Sequence, residues 1–245
     1  MPGLSRRRLL ASTAVSLLPA AAFAAHPGVI SGGAPWAPDS GTPPEAASPG
    51  AWRFFTHREA IAVTAIVDRL IPADDLSVGG GEAGCAIFID RQLAGPYGRA
   101  ETLYMRPPFM QGLPQQGFQS DRSPAQLYRA GLAALDAYCK ASFLGKSFAE
   151  LPVFQQDSIL TGLENGAVRL DGVDGPAFFD QLLQNTIEGF FADPIYGGNR
   201  DMAGWRLIGF PGARYDYRDH LATFDAPYDR PPVGLRGGPG WSGSL

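Results

Sequence analysis

Histidine and cysteine are nearly absent, at three and two residues in a chain of 245. His26, His57 and His220 share no ligand spacing, and Cys85 and Cys139 form no C-x-x-C pair, so the side chains that build a zinc or transition-metal site are missing. No G-x-S-x-G elbow marks a serine nucleophile. No segment alternates apolar and polar residues with a period of two, which removes half-buried strands and the sheet folds built from them. A basic excess is also lacking: 20 Lys and Arg stand against 24 Asp and Glu. A nucleic-acid partner, which needs a concentrated cationic face, is excluded, and a polybasic membrane contact has no support.

What the chain does have begins at its N-terminus. Ser5-Arg6-Arg7-Arg8-Leu9-Leu10 precedes a short, weakly apolar run that ends in the small-residue pattern Ala22-Phe23-Ala24. A basic start, a brief apolar stretch and an A-x-A exit define an export signal, and Arg6 with Arg7 gives it the twin-arginine form. The run is too short and alanine-rich to span a bilayer. Residues 1–24 are read as the signal, and the mature chain keeps 17 basic and 24 acidic residues, a net charge of −7.

Residues 25–51 and 221–245 are rich in Pro, Gly and Ser and read as irregular arms. The segment between them, 52–220, has helical periodicity. Thr56-x-x-Glu59 is a capping box that opens a stripe of Val63, Ile66, Val67 and Leu70. A second helix is expected over about 82–93 with Cys85, Phe88 and Ile89 on one face. A long irregular insertion with four prolines follows. Ser123-Pro124 starts a helix carrying Tyr128, Leu132, Leu135 and Cys139. Ser147-x-x-Glu150 is another capping box, ahead of a helix over about 152–163. The best-formed stripe, Phe179, Leu182, Leu183, Thr186 and Phe190, lies on a helix over about 176–191. The expected fold is all-α, one compact domain of about five or six helices.

Two motifs invite a chemical reading. Gly79-Gly80-Gly81-Glu82-Ala83-Gly84 matches G-x-G-x-x-G, yet a dinucleotide site needs a strand before the glycines, and here a helix precedes them. A glycine-rich turn between helices is the better reading. Carboxylates Asp74, Asp75, Glu188, Asp193 and Asp201 have the residue type for acid–base work, but a turn cap at Asp74-Asp75 and a helix stop at Asp193-Pro194 are the better reading. Cys85 and Cys139 allow one disulfide in an exported chain, or two buried thiols on helical stripes.

From Gly189 to Gly212 the chain reads GFFADPIYGGNRDMAGWRLIGFPG, its densest mixture of aromatics and glycines. Asp193-Pro194 stops the long helix, Tyr196-Gly197-Gly198-Asn199 supplies tight turns, and Asn199 is placed to cap a short segment with Met202, Trp205, Leu207 and Ile208. The stretch is a corner bearing large aromatics.

These residues, with Thr186-Ile187-Glu188, Asp68-Arg69-Leu70-Ile71-Pro72, Asp74-Asp75, Glu82-Ala83-Gly84 and Phe88-Ile89-Asp90, resemble the signature of the gluconate 2-dehydrogenase subunit 3 family. The likeness covers about residues 52–215. It implies the small subunit of a membrane-bound sugar or sugar-acid dehydrogenase complex, with no catalytic, cofactor-binding or metal-binding residues of its own. FAD would reside in a large flavoprotein partner, and haem c in a multihaem cytochrome c partner. The small subunit would assist folding and export of the flavoprotein through the twin-arginine translocase and remain bound to it. The complex would sit in the periplasm at the inner membrane. Candidate partner contacts are Trp36, Trp52, Tyr196, Asn199 and Trp205. The alternative is a stand-alone periplasmic enzyme or binding protein with a pocket near Asp193, Tyr196 and Asn199.

Overall fold

A computed structural model describes residues 50–110, 112–116, 120–213, 217–223, 225–226 and 231–235. The chain divides into two units. One comprises residues 1–36 and 216–224, where the described part contains a 3-10 turn at Arg218–Thr223. The other, residues 37–215 and 225–245, holds everything else discussed below. Its described residues form six helices, α1 (His57–Leu70), α2 (Cys85–Ala94), α3 (Pro124–Ser142), α4 (Val153–Glu164), α5 (Gly175–Phe191) and α6 (Ala203–Ile208). Among the described residues there is no strand, only isolated bridges.

The helix starts follow from local chemistry. Thr56 and Glu59 close a reciprocal capping box on α1, and Ser123 with Gln126 does the same for α3, where Pro124 occupies the first turn. Asp174 caps α5 by accepting from Ala177 N–H, which starts this helix one residue before the expected Pro176. Helix α2 begins at Cys85 rather than near Glu82. Gly84 ahead of it has φ +86°, so the helical path cannot extend back through it. Ser147 and Glu150 form their box, but around a single 3-10 turn, because Leu151 precedes Pro152 and is forced to an extended ψ of 147°.

Helix α5 is the centre of the bundle and contacts all five others. Its Phe178, Leu182 and Phe190 are buried among Val63, Ile66 and Val67 of α1, Ile89 of α2, Tyr128 and Leu135 of α3, and Leu163 of α4. Close approach of α3 to α5 depends on Gly131: a Cβ there would lie 2.4 Å from the Phe178 ring. The Gly79–Gly84 motif serves the same end. A Cβ on Gly80 would lie 2.6 Å from Val67 O, and Gly81 N–H donates to Asp68 Oδ1 at 2.7 Å. The glycines let the turn fold back on the end of α1, with no strand before them.

Two polar clusters tie irregular segments to this core. Asp90 of α2 has no exposed surface, and its carboxylate accepts from three successive backbone N–H groups, Arg53 (Oδ2), Phe54 and Phe55 (both Oδ1), each at 2.9 Å. Arg91 also donates to it. On the other side Arg129 of α3 donates to Phe54 O and Glu59 and stacks 3.9 Å from the centroid of the Phe54 ring. In the second cluster Tyr97, Tyr128 and Gln181 converge on Asn185, itself 1% exposed, which fastens the start of the insertion to α5. Burial pushes both tyrosine hydroxyls above their ordinary range, keeping them neutral donors.

Cys85 and Cys139 are free and buried. Burial pushes the Cys85 thiol up to about 12 and the Cys139 thiol to about 11. Since the thiolate is the reactive form, both are inert at neutral pH. A chromogenic thiol titration is expected to count no reactive cysteine in the folded chain and two after denaturation; rapid native labelling of either would contradict this.

Candidate partner interface

The Gly189–Gly212 corner is built from the end of α5, two 3-10 turns and α6. Beyond Phe191 the chain turns at Asp193, whose Oδ1 accepts from Ile195 N–H (2.9 Å) and caps the turn Pro194–Tyr196. Gly198 then crosses α5 so closely that a Cβ would lie 2.1 Å from Gly189 O. Gly204 of α6 repeats the contact against Phe190 O, at 2.2 Å. Backbone therefore touches backbone along one side of the corner, and any side chain at these two glycines would force it apart.

Between those contacts the chain adopts left-handed conformations at Asn199, Asp201 and Met202, with φ of +47°, +55° and +57°. Such backbone persists only when its surroundings fix it. Asn199 supplies the fixing: fully buried, it donates from Nδ2 to Ala192 O (2.7 Å) and accepts at Oδ1 from Gly204 N–H (2.9 Å). It thus joins the end of α5 to the first turn of α6 across the intervening turn Arg200–Met202. Trp205 is 5% exposed, and its Nε1–H donates to Phe191 O at 2.7 Å, so the indole is a peg in the corner itself. Replacing Asn199 with Ala leaves the part-buried Ala192 carbonyl and the buried Gly204 N–H unpaired, with a left-handed residue between them. The expected loss is about 2–4 kcal/mol of stability, measured by chemical denaturation. An unchanged midpoint would show that Asn199 does not hold the corner.

With its interior so held, the corner presents apolar side chains outward. Phe191, Tyr196, Leu207, Ile208 and Phe210 are all exposed, Ile208 by 60%. Phe210 stacks edge-on against Trp205, at 5.2 Å between centroids, so the rim stands on the buried peg. An exposed apolar patch on a rigid support is what partner docking requires.

Among the residues singled out in the sequence, Tyr196 is on this rim, whereas Asn199 and Trp205 lie beneath it and hold it in place. Trp52 is half-buried against the core and packs edge-on to Phe55. Trp36 lies outside the described residues, as do the signal residues Arg6 and Arg7. Phe191, Leu207, Ile208 and Phe210 were not singled out, although a signal existed. Phe191 falls off the buried stripe of α5, and Leu207-Ile208 places two adjacent apolar residues on a six-residue helix that can bury one side only.

Asp193 and Asn199, the polar groups of the alternative pocket, are both bonded to the corner's own backbone or the tail. Asp193 Oδ2 accepts from Leu235 N–H at 2.7 Å, in addition to the cap formed by Oδ1. Asp74 accepts from Leu76 and Ser77 N–H in its own turn. A groove of about 720 Å³ lies elsewhere, along α1 and α3, and no residue of the corner lines it. Among the described residues no three His, Cys, Asp or Glu side chains gather as a metal site, and no helix is long and apolar enough to cross a membrane.

A family model described as gluconate 2-dehydrogenase subunit 3 matches residues 57–212. The match begins with α1, spans all six helices and ends on the last glycine of the corner. No curated protein and no solved structure matches the chain.

Proposed function

Since this chain belongs to the gluconate 2-dehydrogenase subunit 3 family and is thereby a small subunit of a dehydrogenase complex, we propose that it acts without catalytic groups of its own, as an escort. It docks on a folded FAD-dependent flavoprotein, carries it through the twin-arginine translocase on the signal around Arg6 and Arg7, and stays bound in the periplasm. A multihaem cytochrome c completes the complex at the membrane and passes electrons onward.

The observation that carries this reading is the apolar rim on the rigid corner. Leu207, Ile208 and Phe210 offer the hydrophobic centre that a stable interface needs, and the corner's carboxylate and amide are engaged in holding its own backbone. No comparable observation favours the stand-alone enzyme or binding protein with a pocket near Asp193, Tyr196 and Asn199.

The test is co-purification. A tagged chain is expected to bring down a flavoprotein and a haem protein, visible in the absorption spectrum, while the isolated chain turns over no sugar acid. The pair Leu207→Asp and Ile208→Asp sits on exposed positions, so the helical spectrum is expected to survive while flavoprotein recovery falls at least about tenfold. Turnover by the isolated chain, abolished by Asp193→Asn, would establish the rival reading.

A further inference from the structure

The C-terminal segment returns to the corner. After Ala213, residues 214–230 lead to Pro231, and Val233 then pairs with Gly212 in a parallel bridge. Ala213 N–H donates to Val233 O (2.6 Å), and Val233 N–H donates to Pro211 O (3.2 Å). Two residues on, Leu235 N–H donates to Asp193 Oδ2 (2.7 Å). Val233 is 6% exposed. A Cβ on Gly212 would lie 2.2 Å from Val233 O and 2.9 Å from Trp205 Cζ3, so only bare backbone fits between the segment and the indole. Gly234 is less tightly confined: a Cβ there would lie 3.2 Å from Asp193 Oδ2 and 3.3 Å from the Met202 methyl, both ends of side chains.

The receiving surface does not depend on this segment for its shape. Asp193 is fixed by the turn it caps, Trp205 by Phe191 O, and Met202 by its N–H bond to Asn199 O at 2.8 Å. The family match ends at Gly212, so Asp193, Met202, Trp205 and Pro211 of the receiving surface lie inside it, and Ala213 with residues 231–235 lies outside it.

We propose that the corner carries a binding slot for an extended peptide, and that residues 231–235 of this chain are its ligand in cis. The slot offers a main-chain donor at Ala213, an acceptor at Pro211, a carboxylate for the N–H two residues beyond, and cover for one branched apolar side chain. It selects a branched apolar residue followed by a small one, in the manner of strand addition to an exposed edge. Because residues 214–230 tether the ligand to its slot, seating is intramolecular and a separate peptide must compete with it. The slot adjoins the apolar rim on Phe210, so its occupancy sets how much of the corner is open.

The test uses the full chain and a synthetic peptide, RPPVGLRG, copied from residues 230–237. In the Val233→Asp chain the cis ligand is spoiled, and the peptide is expected to bind in calorimetry and to change Trp205 fluorescence. The unaltered chain is expected to bind it at least about tenfold more weakly, because its own segment competes. A peptide carrying Asp for the valine is expected to lose at least about tenfold in affinity. Amide exchange at Val233 and Leu235 is expected to be faster than at Gly204 and Trp205. If Val233→Asp leaves Gly204 and Trp205 protected and the peptide still does not bind, there is no slot. If Val233→Asp exposes Gly204 and Trp205 to exchange, the segment is part of the corner's own structure rather than a ligand. Either result overturns the proposal, and neither bears on whether the chain escorts a flavoprotein.

Discussion

Replacing Asp90 with Ala is expected to lower stability by about 3–5 kcal/mol, the range for removing one partner of a buried, hydrogen-bonded charge pair. The side chain has no solvent contact, and its two oxygens satisfy three consecutive backbone N–H groups together with Arg91. Alanine leaves those backbone donors with no acceptor, the Phe55 N–H fully buried and the other two partly so, and a buried orphan carries a desolvation cost of about 1–3 kcal/mol. Segment 53–55 would then detach, taking with it the Phe55 contact to Tyr128 and the Arg129 stack on Phe54. Asp90→Asn keeps one acceptor but turns an NH₂ toward the Arg53 amide, so a smaller loss is expected. The measurement is urea denaturation, where the alanine variant should shift the midpoint by about 1–2 M. Amide exchange at Phe54 and Phe55 should accelerate well beyond that of α5. An unchanged midpoint would mean that residues 53–55 are not pinned in solution.

Asp90 also marks a limit of sequence reading. Its partners are backbone amides 35 to 37 residues away, and backbone amides carry no sequence signal. Arg129 is similar: it reaches Glu59 and Phe54 O across 70 and 75 residues. Where the determinant is local, the residues were enough. The α5 stripe, the Thr56–Glu59 box and the start of α3 at Pro124 follow from spacing alone, and all three appear in the structure. Ser147–Glu150 shows how a correct local signal yields a smaller element when a proline follows two residues later.

The corner divides along the same line. Its boundaries and turn residues were legible, because Asp-Pro, Gly-Gly-Asn and Pro-Gly each restrict the backbone. The side each aromatic faces was not. Trp205 and Tyr196 are equally suited to packing and to docking by residue type; a hydrogen bond to Phe191 O with 5% exposure assigns Trp205 to packing, while Tyr196 is left 37% exposed. Nor did the composition of the tail reveal that Val233 would close on Gly212, since the pairing depends on a glycine chosen for close approach twenty-one positions earlier.

That this chain escorts a folded partner across the membrane on one signal is tested by replacing Arg6 and Arg7 with Lys. The exchange keeps the positive charge and the apolar run, so a general secretory signal would still work. It removes the planar guanidinium forks, which a point-charge ammonium does not reproduce and on which twin-arginine recognition depends. The measurement is flavoprotein activity and antigen in periplasmic and cytoplasmic fractions. Both the small subunit and the flavoprotein are expected to stay in the cytoplasm as a soluble pair, with the flavin in place. A flavoprotein that reaches the periplasm in full while its small subunit is left behind would contradict the account.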